Sequence, residues 1–214
     1  MASGHVVDPR AHWEGVYQTK AATDVSWYQA EPTLSLELIT SIAPDTWASI
    51  LDVGGGSSTL VDHLMRAGYK HVSVLDIAGA ALAQARQRLG AEASRVTWIE
   101  ANVLTADLAV HSIDVWHDRA AFHFLTAPED RRLYIAQLRR ALKPGGHALM
   151  ATFAEDGPAR CSGLNVMRYS PEALHRELGE GFHLLTSRRE VHQTPWGAPQ
   201  VFTYIVCRYT PLSA

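Results

Sequence analysis

Two carboxylates on either side of a glycine-rich turn are the residues of this sequence best placed to do chemistry. Asp52 lies near the end of an apolar run that leads into three consecutive glycines, Gly54, Gly55 and Gly56. Asp76 ends a second apolar run, 24 positions after Asp52. Glycines lack the Cβ atoms that would keep a ligand away from the backbone, and an acid about 20 residues beyond such a turn can accept hydrogen bonds from ribose hydroxyls. The spacing predicts a nucleoside-binding site, although Asp76 could also cap the next helix.

The elements that must position these carboxylates are a buried strand, a tight turn and the start of a helix. The apolar run before the turn has the pattern of a buried strand, and residues 59–67 have the pattern of a helix. A flexible linker is the alternative, but a linker would not be flanked on both sides by regular apolar elements. The turn is therefore predicted to hold a ligand at a helix N-terminus.

This motif resembles the cofactor signature of class I S-adenosylmethionine-dependent methyltransferases. The pattern of that family is acid-x-Gly-x-Gly-x-Gly, and the chain matches it at Asp52, Gly54 and Gly56, with Ser58 in place of the last glycine. The competing nicotinamide fingerprint, G-x-G-x-x-G, would need a small residue where this chain has Thr59. That fingerprint also has an apolar residue where this chain has Asp52, so the methyltransferase resemblance is the better of the two.

The order of the later elements extends the resemblance over nearly the whole chain. A helix, the sequence Lys143–Gly146 and an apolar strand follow one another, as at the entry to the fifth strand in this family. The end of the chain predicts a hairpin of two strands, 182–191 and 201–209, and an antiparallel last strand is a hallmark of the family that the nicotinamide fold lacks. The predicted fold is α/β: a Rossmann-like, mostly parallel sheet of seven strands with an antiparallel last strand and helices on both faces.

The resemblance implies S-adenosylmethionine as methyl donor and S-adenosylhomocysteine as product. Asp76 would hold the ribose hydroxyls, the glycine turn would let the backbone approach the donor, and Asp52 would orient its amino end. Asn102 would receive the adenine amino group, although it could also be an ordinary turn residue. The residues expected to contact the cofactor are Asp52, Gly54, Gly55, Gly56, Asp76, Ile77, Asn102, Val103 and His117.

Candidate catalytic residues are His117 and Asp118, at the exit of the fourth strand, and Cys161, in an irregular loop over residues 154–170. Ligands of open α/β sheets bind beyond the carboxyl ends of the strands, which places this exit near the reacting methyl group. Because the sulfonium methyl is already activated, a general base is needed only if the acceptor must lose a proton. A structural role for His117 and a bystander role for Cys161 are the alternatives. No CxxC spacing is present, so no metal is expected.

The first 31 residues are predicted to form a lid segment over a donor-binding domain of residues 32–214. Asp8 and Pro9 predict a helix start, and aromatic side chains follow at Trp13, Tyr17, Trp27 and Tyr28. These aromatics could exclude water from a methyl transfer and face a sulfonium cation, or they could simply pack on the domain. Further candidate substrate contacts are Arg119, Arg168 and Tyr169, and the last two could equally brace the loop in which they lie.

Length and composition limit the class of protein. The 214 residues suffice for one domain with a full core, and 47% hydrophobic with 19% charged residues is an ordinary globular balance. With a net charge of −3 and no basic run, neither nucleic acid nor a membrane is an expected partner. Two cysteines and a start, residues 1–5, without a signal pattern predict a reducing, cytoplasmic location. A monomer or a homodimer is expected.

The sequence favours a methyltransferase that acts on a small-molecule nucleophile, either a thiol, an amine or a hydroxyl. The fourth strand exits into His-Asp-Arg-Ala and lacks an Asn-Pro-Pro-Tyr-type motif, which argues against methylation of base amines or glutamine. A protein lysine methyltransferase is the second hypothesis. A regulator that binds the donor without catalysis is the alternative from another class, and product formation would separate it from an enzyme.

Overall fold

A central sheet of seven strands organises the protein, which a computed structural model describes over residues 8–212. Residues 8–212 contain nine strands, seven of which form this sheet. They are β1 (Ser49–Val53), β2 (His71–Asp76), β3 (Thr97–Glu100), β4 (Ile113–Arg119), β5 (Leu142–Phe153), β6 (Arg160–Cys161), β7 (Leu164–Asn165), β8 (Phe182–Gln193) and β9 (Pro199–Tyr209). The sheet has the order β3-β2-β1-β4-β5-β9-β8, and β6 pairs only with β7. The first five strands of that order run parallel, β9 is antiparallel to β5, and β8 is antiparallel to β9. The predicted fold is confirmed.

Helices cover both faces of the sheet because its strands bury side chains on both sides. They are α1 (Pro9–Thr19), α2 (Thr33–Ile42), α3 (Leu60–Arg66), α4 (Gly79–Leu89), α5 (Pro128–Ala141) and α6 (Pro171–Leu178). One apolar core joins α2 and α3 to one face of the sheet, where Ile50 of β1 points. The other joins α5 and α6 to the opposite face, where Leu51 points. No helix within residues 8–212 is long and apolar enough to cross a membrane.

The strand order reverses between β1 and β4, which opens a crevice at the carboxyl ends of these strands. The parallel register pairs Asp52 of β1 with His117 of β4, and Val53 with Asp118. Because side chains alternate along a strand, His117 shares a face with Asp52 whereas Asp118 points to the opposite face. This register decides which of the two candidate catalytic residues lies near the glycine turn.

Two local predictions can be compared with the structure. Asp8 caps α1, since its Oδ1 accepts a hydrogen bond from the Arg10 N–H at 3.0 Å. The loop over residues 154–170 is less irregular than expected, because β6 and β7 form a small hairpin within it. Ser162 and Gly163 connect these strands with φ angles of 48° and 79°, as in a two-residue type I′ turn. Residues 1–7 of the predicted lid segment, including the expected absence of a signal, lie outside the described residues.

Candidate functional site

A cavity of about 540 Å³ lies at the carboxyl ends of β1, β2 and β4. Its volume falls in the ordinary range for a small-molecule site, and its charged lining residues are Asp76, Arg119 and Asp130. The sequence-predicted residues that line it are Trp13, Tyr17, Trp27, Gly54, Asp76, Ile77, Asn102, Val103, Arg119 and Cys161. The crevice therefore gathers most of the predicted cofactor contacts and three of the four predicted lid aromatics.

The glycine turn has no room for side chains at its three consecutive glycines. A Cβ on Gly54 would lie 2.5 Å from the Cβ of Ala121, and φ at Gly54 is +64°. A Cβ on Gly56, where φ is +49°, would lie 2.9 Å from the Tyr17 hydroxyl and 3.1 Å from Asp76 Oδ2. Glycine adopts these angles without strain, so the backbone of the turn packs directly against Ala121, Tyr17 and Asp76, and Gly54 lines the large cavity.

Asp76 is buried at the end of β2 and faces the glycine turn. Its Oδ1 accepts a hydrogen bond from the Ala78 N–H at 2.8 Å, and its Oδ2 lies on the side of Gly56. Burial, with a contribution from the neighbouring Asp52 carboxylate, raises the pKa of Asp76 to about 7. A ligand that offers hydroxyl donors to this carboxylate would favour its ionised form.

The N-terminus of α4, directly after Asp76, is capped by a side chain from α1. Glu14 accepts hydrogen bonds from the N–H groups of Gly79, at 2.6 Å, and Ala80, at 3.1 Å. The N-cap residue of α4, Ala78, has no side chain that could do this. Gln84 of α4 in turn donates to the Tyr17 carbonyl at 2.7 Å. These contacts hold α1, with Trp13 and Tyr17, across the cavity.

A second, smaller cavity of about 40 Å³ lies behind the glycine turn. Three buried polar side chains meet at its wall. The His117 Nδ1 lies 2.7 Å from Asp52 Oδ1, and its Nε2 lies 2.9 Å from the Ser35 hydroxyl. The predicted residues that line this cavity are Trp27, Tyr28, Asp52, Gly54, Gly55, His117 and Arg119. Both ring nitrogens of His117 are therefore engaged with protein groups.

Arg119 borders both cavities and fastens the Trp27 segment to the sheet. Its Nε donates to the Tyr204 hydroxyl at 2.8 Å, and its Nη1 donates to the Trp27 carbonyl at 3.1 Å. Its Nη2 lies 3.3 Å from Glu190, and the guanidinium stacks over Phe202 at 4.2 Å from the ring centre. The Trp27 wall is consequently fixed by β4, β8 and β9 together.

Asp118, Arg168 and Tyr169 line neither cavity. Asp118 is fully buried on the opposite face, accepts hydrogen bonds from the Tyr134 hydroxyl and two backbone N–H groups, and has its pKa raised to about 6 by burial. Arg168 donates to the Gly157 carbonyl at 3.2 Å. The Tyr169 hydroxyl donates to Glu177 at 3.3 Å. All three brace structure at the positions they occupy.

The β6–β7 hairpin brings three residues to the large cavity: Cys161, Leu164 and Asn165. The sequence analysis did not identify Leu164 and Asn165. The dipeptide Ser162-Gly163, whose residues both have positive φ angles, is a hairpin-turn signal that could have located them. The Cys161 Sγ lies 4.0 Å from the Ser26 hydroxyl, and burial raises the pKa of its thiol to about 11. The thiol is therefore protonated at neutral pH. Within residues 8–212, no group of three or more His, Cys, Asp or Glu side chains could hold a metal ion.

Comparison with known proteins agrees with this geometry. Residues 50–146 match the family described as "Methyltransferase domain". A ubiquinone/menaquinone biosynthesis C-methyltransferase of Roseobacter denitrificans is 28% identical over 117 residues, which cover 53% of this chain and 46% of that protein. The chain spans about half the length of the curated relatives it matches.

Solved structures match over most of the chain. The 1,6-didemethyltoxoflavin-N1-methyltransferase of Burkholderia thailandensis, solved with bound 1,6-didemethyltoxoflavin and S-adenosylhomocysteine, has a TM-score of 0.69 at 20% identity, and the match covers 94% of this chain and 84% of that one. The N-methyltransferase NodS of Bradyrhizobium japonicum, solved with S-adenosylhomocysteine, has a TM-score of 0.70 at 18% identity, with coverages of 92% and 98%. These likenesses define a class I, Rossmann-like methyltransferase fold. The match to the methyltransferase domain family is confined to residues 50–146, a little under half of the chain.

The site fits the cofactor that this fold family implies. The glycine turn presents bare backbone, the Asp76 carboxylate places one oxygen beside Gly56, and the large cavity is lined by Gly54, Asp76, Asn102 and Val103 together. The Asn102 Oδ1 already accepts a hydrogen bond from the Leu104 N–H at 3.0 Å, which fixes its amide at the rim. A carboxylate, an amide and a bare backbone turn are the groups that a nucleoside with an amino-acid tail would need.

Proposed function

We propose that this protein is an S-adenosylmethionine-dependent methyltransferase that acts on a small-molecule nucleophile. The observation that carries the proposal is the single cavity in which the glycine turn, Asp76 and Asn102 meet a wall of aromatic side chains. When bound, the cofactor supplies an activated methyl group on a sulfonium. In this proposal Asp76 accepts the ribose hydroxyls, Asn102 and Val103 contact the adenine, and the glycine backbone lies against the donor.

The aromatic wall of the cavity, where we place the methyl acceptor, favours a small-molecule acceptor over a protein side chain. Trp13 packs edge-on against Trp27 and Phe124, with ring centres 5.8 and 4.9 Å apart, and α1 lies across the opening. An aromatic wall of this kind helps to exclude water from a methyl transfer, and a helix across the opening narrows the access of a folded protein. The two solved neighbours described above are named for N-methylation, which is consistent with an acceptor of this size.

We propose that catalysis rests on positioning and water exclusion, with no side chain that accepts a proton in the methyl-transfer step. Of the three candidate bases, Cys161 carries a protonated thiol and Asp118 lies on the other face of the sheet. His117 has both ring nitrogens in hydrogen bonds to protein side chains. A soft or already deprotonated nucleophile is the acceptor that this arrangement suits.

Calorimetry followed by a turnover assay tests the proposal. We expect the purified protein to bind S-adenosylmethionine and S-adenosylhomocysteine with micromolar affinity, and then to transfer a labelled methyl group to a thiol, amine or hydroxyl compound from a small-molecule panel. Intact-mass analysis of cell extract tests lysine methylation in parallel. Label that appears only on protein would contradict the small-molecule acceptor, and binding without any transfer would favour the donor-binding regulator. Absence of binding to both cofactors would overturn the proposal altogether.

We further propose that residues 8–31 act as a lid whose closure depends on Glu14. Glu14→Ala removes the cap of α4 and its interaction with the positive end of that helix, which together are worth about 1–2 kcal/mol. The S-adenosylhomocysteine dissociation rate, measured by stopped-flow fluorescence of the lid tryptophans, should rise about tenfold. Glu37→Ala, at an exposed glutamate of α2, is the matched control and should leave the rate unchanged. An equal rate in Glu14→Ala and the wild type would contradict the lid.

A further inference from the structure

Three buried side chains from three different elements form one hydrogen-bonded chain beneath the glycine turn. Asp52 of β1, His117 of β4 and Ser35 of α2 are 2%, 3% and 1% exposed. The strand register brings Asp52 and His117 side by side on one face of the sheet, and α2 lays Ser35 over the imidazole. Burial of polar groups is tolerated when they are paired, and these three side chains pair with one another through every polar atom except one oxygen of Asp52.

The chemistry of the three groups determines which of them donates each hydrogen bond. A carboxylate only accepts hydrogen bonds, so the His117 Nδ1 must donate to Asp52 Oδ1. In a neutral imidazole the Nε2 then accepts, and Ser35 donates its hydroxyl hydrogen to it. His117 is thereby held in one tautomer and one ring orientation. Asp52 in turn is held in one side-chain rotamer by His117.

The second carboxylate oxygen of Asp52 takes no part in these hydrogen bonds. Oδ2 has no hydrogen-bond partner among residues 8–212, and it lies so close under the turn that a Cβ on Gly55 would be 2.5 Å away. Asp52 lines the small cavity, which shares Trp27, Gly54 and Arg119 with the large one. A cationic group on a ligand that occupies the large cavity could therefore reach Oδ2 past the glycine turn.

We infer that Ser35 and His117 are positioning residues that hold Asp52 so that its free oxygen receives the ammonium group of the cofactor. The inference rests on the proposed function, because it needs a donor with an amino-acid end. Neither Ser35 nor His117 touches the cofactor in this arrangement. Their effect is confined to the part of the ligand that Asp52 contacts, since the ribose and adenine bind at Asp76 and Asn102.

Because only the amino-acid end of the ligand should be affected, a comparison of ligands with and without that end distinguishes a positioning role from a general structural role. S-adenosylhomocysteine carries the ammonium group, whereas 5′-methylthioadenosine has the same nucleoside and sulfur without it. For Ser35→Ala and His117→Gln, we expect the dissociation constant of S-adenosylhomocysteine to rise about tenfold, and that of 5′-methylthioadenosine to change less than twofold. Ser41→Ala, on the same helix with a hydroxyl that donates to the Leu38 carbonyl, is the control and should change neither.

Calorimetry of both ligands, with thermal melting of each variant, separates the outcomes. Equal losses of affinity for the two ligands, or no loss for either, would overturn the role of Ser35 and His117. Since removal of the serine hydroxyl leaves the imidazole in place, Ser35→Ala decides the question if His117→Gln melts below the assay temperature. If the wild-type protein bound neither ligand, the proposed function itself would fail, which is a different result from a changed ratio between the ligands.

Discussion

Replacement of Asp76 by asparagine should weaken S-adenosylhomocysteine binding about 100-fold, the largest effect on affinity that we expect from one substitution. The proposed role gives Asp76 two hydrogen bonds from ribose hydroxyls to a charged acceptor, each worth about 1.5 kcal/mol. Asparagine keeps the shape, but it offers one neutral oxygen and a competing donor. Titration calorimetry measures the change, and Asp107→Asn, at a side chain that is 99% exposed, is the control. Unchanged affinity in a folded Asp76→Asn protein would remove Asp76 from the cofactor site.

The same residue predicts how cofactor binding depends on pH. Since burial raises the pKa of Asp76 to about 7, well above its ordinary value, the unliganded protein holds a proton there that the unfolded chain has lost. The contribution of Asp76 to the free energy of unfolding of the unliganded protein is therefore fully present below about pH 4, and it is lost as the pH rises through 7. Ribose hydroxyls favour the ionised carboxylate, so affinity should increase between pH 6 and 8. Asp76→Asn should flatten this increase, and an identical slope in both proteins would contradict the assignment.

The second large effect concerns stability. Asp118→Ala should lower the free energy of unfolding by at least about 3 kcal/mol, because it leaves the Tyr134 hydroxyl and the Ala121 and Phe122 N–H groups buried without an acceptor. Urea denaturation of the unliganded protein measures the loss. Asp114→Ala on the same strand, where the carboxylate is one-third exposed and pairs with Lys143, should lose clearly less.

Asp118→Asn distinguishes this structural role from catalysis. Asparagine retains the shape and one acceptor, so most of the stability should remain while cofactor affinity stays at the wild-type value. A folded Asp118→Asn protein with normal cofactor binding and no methyl transfer would return Asp118 to the catalytic candidates. Turnover within severalfold of the wild type is the expected result.

The sheet and the cavity wall at the ends of β1 and β2 could be predicted from the sequence because their signals are local. An apolar run, three glycines and a strand-end acid lie within one stretch of chain, and a parallel sheet brings the ends of its strands to one edge. Asp76, Gly54 and Asn102 accordingly line the large cavity. The antiparallel hairpin of β8 and β9 could be predicted for the same reason, since both strands and the turn between them are continuous in sequence.

The contacts that hold the site together could not be predicted, because they join distant parts of the chain. Ser35 meets His117 across 82 positions, and Glu14 meets Gly79 across 65. His117 and Asp118 are neighbours in sequence and looked equivalent, yet the alternation of side chains sends them to opposite faces. Only the register of β4 against β1 tells which of them meets Asp52, and no local pattern encodes that register.

The β6–β7 hairpin has a consequence for how this protein could diversify. Its two strands pair with each other and not with the central sheet, and it contributes Cys161, Leu164 and Asn165 to the cavity wall. Replacement of these side chains would reshape one end of the cavity while every backbone hydrogen bond of the seven strands stays in place. Evolution, or a protein engineer, could therefore change which molecules fit this end of the cavity while Asp76 and Asn102 stay in place, and a library at these three positions is the smallest one that samples this freedom.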